Sequence, residues 1–250
     1  MEVVLTYNNK LYQIDLSQGM DISIPLHGNL DQVNCFYAPL FSSEPVKMGS
    51  FIGSVAQGGP VNFRNVRLNP HGNGTHTEGV GHISAEMESV NGILKNFHFF
   101  TQLISIYPTL RENGDRVIEK QTLEIFMDGL ENVDSIVIRT LPNDPIKRSL
   151  KYSGTNPTYI APEAMELIIS KNIQHVLVDI PSVDREEDGG VLASHNLFWS
   201  GERKKYCTIT ELIYVPDHIK DGLYLLNLQV AAMELDAVPS RPVLYKLHEQ

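Results

Sequence analysis

Alternating apolar and polar positions predict β-strands at both ends of the chain. Val3–Tyr7 and Leu11–Asp15 follow this pattern on either side of Asn8-Asn9-Lys10, and asparagine tolerates the positive φ angles that tight hairpin turns require. We therefore predict an N-terminal β-hairpin. The same alternation predicts further strands, which are Asp21–Leu26, Thr208–Val215, Leu223–Val230 and Val243–Leu247.

The middle of the chain has a pattern typical of a βαβ unit. Ser135–Arg139 and Val176–Ile180 are runs of apolar and β-branched residues, as in strands that are buried on both faces. Between them, Pro162 suits the first turn of a helix, and the apolar residues of Met165–Ile169 lie at helical spacing. We expect one α/β domain with a mixed sheet over residues 1–250.

The composition supports a buried core and disfavours nucleic acid as a partner. Of the 250 residues, 42% are apolar and 20% are charged, which argues against a disordered chain. The net charge of -10 disfavours nucleic acid, because a polyanion would be repelled.

The sequence also predicts a cytoplasmic protein with no membrane partner. The apolar runs are far too short to cross a bilayer, and no basic region precedes an apolar stretch at the N-terminus. Two cysteines, Cys35 and Cys207, suit a reducing compartment, with a mature secreted fragment as the alternative.

A glycine-rich segment at residues 71–82 carries the strongest chemical signal. It contains His71, His76, Glu78 and His82 among four glycines. Imidazole and carboxylate groups are ligands that zinc, manganese and iron take readily. His76 and Glu78 would point to the same side of an extended segment, and His82 could act as an acid or base instead of a ligand. The alternative is a polar loop whose histidines form only local hydrogen bonds.

This segment resembles the signature of the cyclase-like metal hydrolases, a family that includes bacterial kynurenine formamidase and isatin hydrolase. The signature runs His-x-Gly-Thr-His-x-Asp-x-Pro-x-His, and Gly74–His76 and His82 match it in identity and spacing. Glu78 stands at the family's bridging aspartate. The first family histidine falls at Gly72, and His71 precedes that position by one residue.

The resemblance continues in the same order along most of the chain. Val178–Asp184 is similar to a strand and loop of the family, and Pro239–Val243 resembles its closing turn. His195 and Glu211 follow where the family supplies a histidine and a glutamate to a second metal ion. The first twenty residues of this chain lie outside the resemblance and appear as an addition to the family pattern.

The resemblance implies a fold, an activity and a site. The fold would be an α/β domain of the swivelling β/β/α type with an added hairpin over residues 1–20. The activity would be hydrolysis of a small amide, formamide or cyclic amide by a metal-activated water, arylformamidase activity being the most concrete form. The cofactor would be one or two divalent ions, zinc first and manganese second, in a homodimer. The implied residues are the metal ligands His71, His76, Glu78, His195 and Glu211, the proton shuttle His82, and the substrate-facing Phe36 and Tyr37.

Other functions stay open at the level of the sequence. Departures from the family pattern at Gly72, Glu78, Val80 and Leu141 favour a non-catalytic relative that binds a small molecule or a partner. A one-metal isomerase or lyase is the third hypothesis. The sequence has no Gly-x-Ser-x-Gly elbow, Walker A loop or Gly-x-Gly-x-x-Gly motif. We interpret the charged run at residues 184–188 as a solvated loop.

Overall fold

The computed structural model describes residues 1–130 and 132–250, which form many short strands and few helices. The strands are β1 (Glu2–Tyr7), β2 (Lys10–Asp15), β3 (Met20–Asp21), β4 (Ser42–Pro45), β5 (Lys47–Met48), β6 (Phe51–Ile52), β7 (Arg64–Arg67), β8 (His76–Glu78), β9 (His98–Ile106), β10 (Thr109–Leu110), β11 (Arg116–Ile118), β12 (Ser135–Thr140), β13 (Tyr159–Ile160), β14 (His175–Val178), β15 (Thr208–Glu211), β16 (Gly222–Val230), β17 (Ala237–Lys246) and β18 (His248–Glu249). The α-helices are α1 (Pro70–Asn73), α2 (Val90–Ile93), α3 (Lys120–Met127), α4 (Pro162–Ser170) and α5 (Ala193–Phe198). Short 3₁₀ helices cover Val55–Gln57, Val80–His82, Pro145–Arg148 and Gly201–Lys205.

A mixed sheet closes on itself at the centre of the molecule. Its strands follow the order β16-β9-β12-β14-β15-β8-β17, and β17 pairs with β16 to complete the ring. Neighbours among β9, β12, β14 and β15 are parallel, and the remaining pairs of the ring are antiparallel. The mixed α/β architecture confirms the predicted fold class.

The core lies on both faces of this sheet. On β12, Ile136 and Ile138 face the helices and join a cluster that includes Met165 and Ile168 of α4. Val137 points the other way, into a cluster that the strands of the ring fill from several sides. All residues of β12 are buried, which explains why its sequence is apolar without alternation.

Two of the predicted local structures are confirmed. β12 and β14 are parallel neighbours with α4 between them in the sequence, as expected for the βαβ unit. β1 and β2 form the N-terminal hairpin, in which Asn8 and Asn9 have φ angles of 48° and 61°. The hairpin also pairs with β18, and the ring of Tyr7 stacks on Phe100 at 4.2 Å.

Two predicted strands are shorter than expected. Asp21–Leu26 keeps only its first residue in β3, because the Asp21 carboxylate accepts hydrogen bonds from the backbone and hydroxyl of Ser23 and turns the chain. Thr208–Val215 stops before Leu212, whose φ of 54° breaks the extended conformation. Among the described residues, no helix combines the length and apolarity needed to cross a membrane. The assignment of residues 1–250 to one domain stays a prediction.

Asp115 is a buried carboxylate that ties several loops together. It accepts hydrogen bonds from Asn156 at 2.8 Å and from the Tyr159 hydroxyl at 2.9 Å, and Arg185 approaches it at 3.2 Å. The hydrogen bond from Asn156, followed by those from Tyr159, Asn113 and Arg185, lowers the pKa of Asp115 to about 2.

We expect Asp115→Asn to lower the free energy of unfolding by about 1–3 kcal/mol at pH 7, because buried donors lose their acceptor. The folded-state pKa lies below the ordinary value, so the carboxylate stabilises the protein at neutral pH and this contribution disappears as the pH falls towards 2. Urea unfolding of both proteins between pH 7 and pH 2.5 measures the difference, and exposed Asp128→Asn is the control. A difference that did not shrink at low pH would contradict this account.

Candidate metal centre

Strand β8 positions two of the predicted ligands. His76 and Glu78 are two residues apart on one strand, so their side chains share a face, while Thr77 points the other way to the Thr210 hydroxyl. Pairing with β15 sets Glu211 directly opposite His76. The His76 Nε2 atom and the Glu211 Oε2 atom are 3.4 Å apart, so the two side chains form the floor of the site.

His71 reaches the same site from helix α1. The Asn69 side chain caps this short helix by accepting a hydrogen bond from Gly72 at 3.0 Å. Gly72, which follows His71 in the sequence, could not carry a side chain, because a Cβ atom there would lie 2.2 Å from the Cβ of Ala38. The helical turn directs His71 inward instead, with its Nδ1 atom 3.2 Å from Glu78 Oε2. The chain therefore brings His71 into the cluster from the position before Gly72.

His195 enters the site from helix α5, and Asp184 holds it there. The Asp184 carboxylate accepts hydrogen bonds from the backbone of Ser194 and His195 at 2.7 and 3.1 Å, and it lies 2.6 Å from His195 Nδ1. Asp184 is only 6% exposed, so the interpretation of residues 184–188 as a solvated loop is wrong at this residue. The charged run conceals a buried carboxylate that fixes a histidine.

His82 and Asp236 complete the cluster on its more exposed side. His82 ends a 3₁₀ helix one turn after Glu78, and its Nε2 atom is 3.9 Å from Glu78 Oε2. Asp236, which the sequence did not single out, contacts both His71 and His82. In the sequence, Asp236 is simply an acidic residue before an apolar strand, and many loop carboxylates share that pattern.

Glu78 lies at the centre of these contacts. Its Oε1 atom is 3.0 Å from His195 Nε2, and its Oε2 atom faces His71. Glu78 belongs to two groups of three potential ligands, and within each group the ligand atoms lie within 4.8 Å of one another. One group adds His71 and His76, and the other adds His82 and His195. Oε1 thus faces His195, whereas Oε2 faces His71 and, at the longer distance of 3.9 Å, His82.

The electrostatics of the histidines follow from these contacts. Burial alone would lower the pKa of His71, but hydrogen bonds with Asp236 and Glu78 outweigh burial and raise it to about 10. Hydrogen bonds with Asp184 and Glu78 likewise overcome burial and raise the pKa of His195 to about 10. In the absence of a cation, both imidazoles therefore hold protons next to Glu78 at neutral pH.

The two glutamates respond in opposite directions. Burial would raise the pKa of Glu78, yet hydrogen bonds from His195 and His71 lower it well below its ordinary value. Burial and the neighbouring charge of Glu78 raise the pKa of Glu211, while the backbone N–H of Val183 donates to Glu211 Oε1 at 3.0 Å. The site thus contains a firmly ionised carboxylate beside one that is harder to ionise.

His76 provides the test of whether a metal ion suits these residues. Its Nδ1 atom lies 3.0 Å from the carbonyl oxygen of Gly74 and can donate there, which leaves Nε2 with a free lone pair. Among the described residues, this fully buried Nε2 atom makes no hydrogen bond, although Glu211 Oε2 lies 3.4 Å away. A buried acceptor without a hydrogen bond is costly, and a divalent cation held by His76 and the glutamates would satisfy it.

A cavity of about 220 Å³ opens onto the cluster. Its lining includes Phe36 together with His71, His82, His195 and Glu211. Tyr37 is not part of this lining; it is 78% exposed, and its backbone N–H donates to Ser153. The structure thus brings together His71, His76, Glu78, His82, His195, Glu211 and Phe36, and it leaves Tyr37 outside.

The putative cyclase family model matches residues 14–185, which include the histidine-rich segment and Asp184. The chain belongs to the putative cyclase family. The family resemblance seen in the sequence is confirmed.

Curated proteins and solved structures are similar to this chain over most of its length. A kynurenine formamidase of Bacillus cytotoxicus is 28% identical over 76% of this chain and 83% of its own length. A kynurenine formamidase of Bacillus cereus is 26% identical over 91% of this chain and 97% of its own length. The structure of isatin hydrolase A from Ralstonia solanacearum superimposes with a TM-score of 0.66 at 15% identity, covering 91% of both chains. That last likeness concerns the fold.

We expect zinc to raise the melting temperature of the wild-type protein, because a ligand that binds only the folded state stabilises it. Replacing His76 with Ala should weaken zinc binding by more than about 100-fold, the upper range for loss of a group that merely supports a ligand. Thermal unfolding with and without zinc measures this, and exposed His218→Ala is the control. Equal zinc shifts in wild type and His76→Ala would rule out His76 as a ligand.

Proposed function

We propose that this chain is a metal-dependent hydrolase that cleaves a small amide, formamide or cyclic amide. The observation that carries this proposal is the convergence of the histidines on Glu78, with His76 Nε2 buried beside Glu211 and without a hydrogen bond among the described residues. Curated relatives that cover most of the chain are kynurenine formamidases. An arylformamidase-like reaction on an N-formyl aromatic amine is therefore the first substrate class to test.

The proposed ligands are His71, His76, Glu78, His195 and Glu211, and zinc is the first candidate ion, with manganese second. Oε1 of Glu78 faces His195, and Oε2 faces His71 and His82, so the site would hold one or two ions with Glu78 among the ligands. A divalent ion supplies an activated water near neutral pH and polarises a carbonyl oxygen.

The remaining steps belong to side chains of the site. Phe36 contributes an apolar ring to the lining of the same cavity, against which a flat acyl or aryl group can pack. His82 is 30% exposed and lines the cavity, so it can exchange protons with solvent and with a bound substrate. We assign His82 as the acid that donates a proton to the leaving nitrogen.

A cellular location and an oligomeric state are also proposed. The protein would act as a cytoplasmic homodimer, for which the family resemblance is the support. Cys35 and Cys207 are both buried and unpaired, in keeping with a reducing compartment. Burial raises the pKa of Cys207 to about 11, which makes it a poor nucleophile.

A purely binding function receives no support from the geometry. Departures from the signature could have separated the ligands in space. Instead, His76 belongs to one group of potential ligands and His195 to another, and both groups contain Glu78.

The proposal is tested by loading the metal-free protein with zinc and following hydrolysis of formanilide. We expect turnover that disappears after dialysis against a chelator and returns with zinc. Replacing His82 with Ala should reduce kcat by about 10²–10⁴-fold, the usual contribution of a positioned acid or base, while the zinc content is unchanged. His218→Ala is the matched control. Unchanged turnover in His82→Ala would refute the assigned role, and activity that survives complete metal removal would refute the mechanism.

A further inference from the structure

We propose that Asp236 is a positioning residue that orients the candidate ligand His71 and the candidate acid His82 at the same time. The part that concerns His82 rests on the proposed function; the part that concerns His71 rests only on metal binding. Neither histidine has another carboxylate at this side of its ring in the described contacts.

Strand pairing fixes the place of Asp236. The first residue of β17, Ala237, pairs with Glu78 of β8, and the backbone N–H of Gly79 donates to the carbonyl oxygen of Asp236 at 3.0 Å. Asp236 is therefore held beside the end of β8 by backbone hydrogen bonds. Its carboxylate, 25% exposed, points towards the cluster.

A single oxygen atom of Asp236 serves both rings. Asp236 Oδ2 lies 3.0 Å from His71 Nε2 and 3.6 Å from His82 Nδ1. The two rings lie against each other, with centroids 4.2 Å apart and planes tilted by 32°. A displacement of this carboxylate would thus change the orientation of both imidazoles.

The contact also determines which nitrogen His71 presents to the site. An ionised carboxylate only accepts hydrogen bonds, so His71 must carry a proton on Nε2 to bond to Asp236 at 3.0 Å. Its Nδ1 atom, which faces Glu78, would then be the ligand nitrogen. The contact with His82 is longer, and it places the carboxylate beside Nδ1 while Nε2 lies on the side of Glu78.

The other candidate ligands show the same arrangement with separate acceptors. Asp184 lies at Nδ1 of His195, whose Nε2 faces Glu78, and the Gly74 carbonyl lies at Nδ1 of His76. Asp236 differs because it supports a ligand and an acid–base group together. We therefore expect its loss to affect metal affinity and turnover independently, unlike the loss of a support for one ligand.

The test compares zinc affinity and turnover in Asp236→Asn, Asp236→Glu and the wild type. We expect Asp236→Asn to bind zinc about 10–100-fold more weakly in a chelator competition, as for other supporting groups, with the same number of ions per chain. At saturating zinc it should still hydrolyse formanilide more slowly than the wild type. Asp236→Glu retains the carboxylate and should recover part of both losses.

Glu234→Gln is the control for general damage to this loop. Glu234 lies two residues away and accepts hydrogen bonds from Ser89 and Asn91, outside the cluster. A zinc affinity of Asp236→Asn within twofold of wild type, or an equal loss in Glu234→Gln, would overturn the proposal. Loss of one ion per chain would also overturn it, since Asp236 would then be a ligand. If no protein, wild type included, hydrolyses amides, the proposed function fails while zinc affinity still tests the support of His71.

Discussion

The buried charge of Glu78 is the constraint on which the site depends. A carboxylate that is 1% exposed is costly unless partners compensate for it. The compensation comes from His71 and His195, which lie on separate helices, the second 117 residues away in sequence. These partners must be held in place, and the closed sheet holds β8 between β15 and β17. The ring of strands therefore buries Glu78, and the buried charge is compensated only where the fold also brings His71 and His195 to it.

Two of the three departures from the family signature at residues 71–82, those at Gly72 and Glu78, are best understood together. Glutamate at position 78 extends further than aspartate by one methylene, whereas metal–ligand distances vary by only about 0.2 Å. The neighbouring ligand is displaced as well: Gly72 has no room for a side chain against Ala38, and His71 approaches from the preceding residue. His71 nevertheless ends 3.2 Å from the Glu78 carboxylate. A longer carboxylate and a relocated histidine thus meet, and the altered signature is compatible with an intact cluster.

Sequence patterns predicted those parts of the molecule whose cause is local. The βαβ unit follows from β-branched runs and helical spacing, and the hairpin follows from the adjacent asparagines. The convergence of His76 and Glu78 follows from the two-residue period of a strand. Asp184 and Asp236 were missed for a common reason.

Their roles arise from tertiary structure. Asp184 stands in a charged run that has the composition of a solvated loop, and only the fold of the segment before α5 buries it. Asp236 reaches the cluster through the pairing of β17 with β8, strands separated by more than 150 residues. The position of Tyr37 also depends on the fold, because its backbone N–H donates to the hydroxyl of Ser153, 116 residues away in sequence.

The arrangement of hydrogen bonds explains how the same site can exist with protons or with a metal ion. In His71, His76 and His195, one ring nitrogen is fixed by an outer acceptor, and the other is directed at the carboxylates. The outer carboxylates, Asp236 at His71 and Asp184 at His195, raise the pKa of the two imidazoles most, and the contact of each inner nitrogen with Glu78 raises it further. A divalent ion needs these nitrogens unprotonated, so it would take the place of protons that already lie between the same atoms. If the outer acceptors hold the rings in the same way around an ion, metal binding would require no rearrangement of the backbone. The conformational cost of forming the proposed metal site would then be met during folding, through the hydrogen bonds to Asp184, Asp236 and the Gly74 carbonyl.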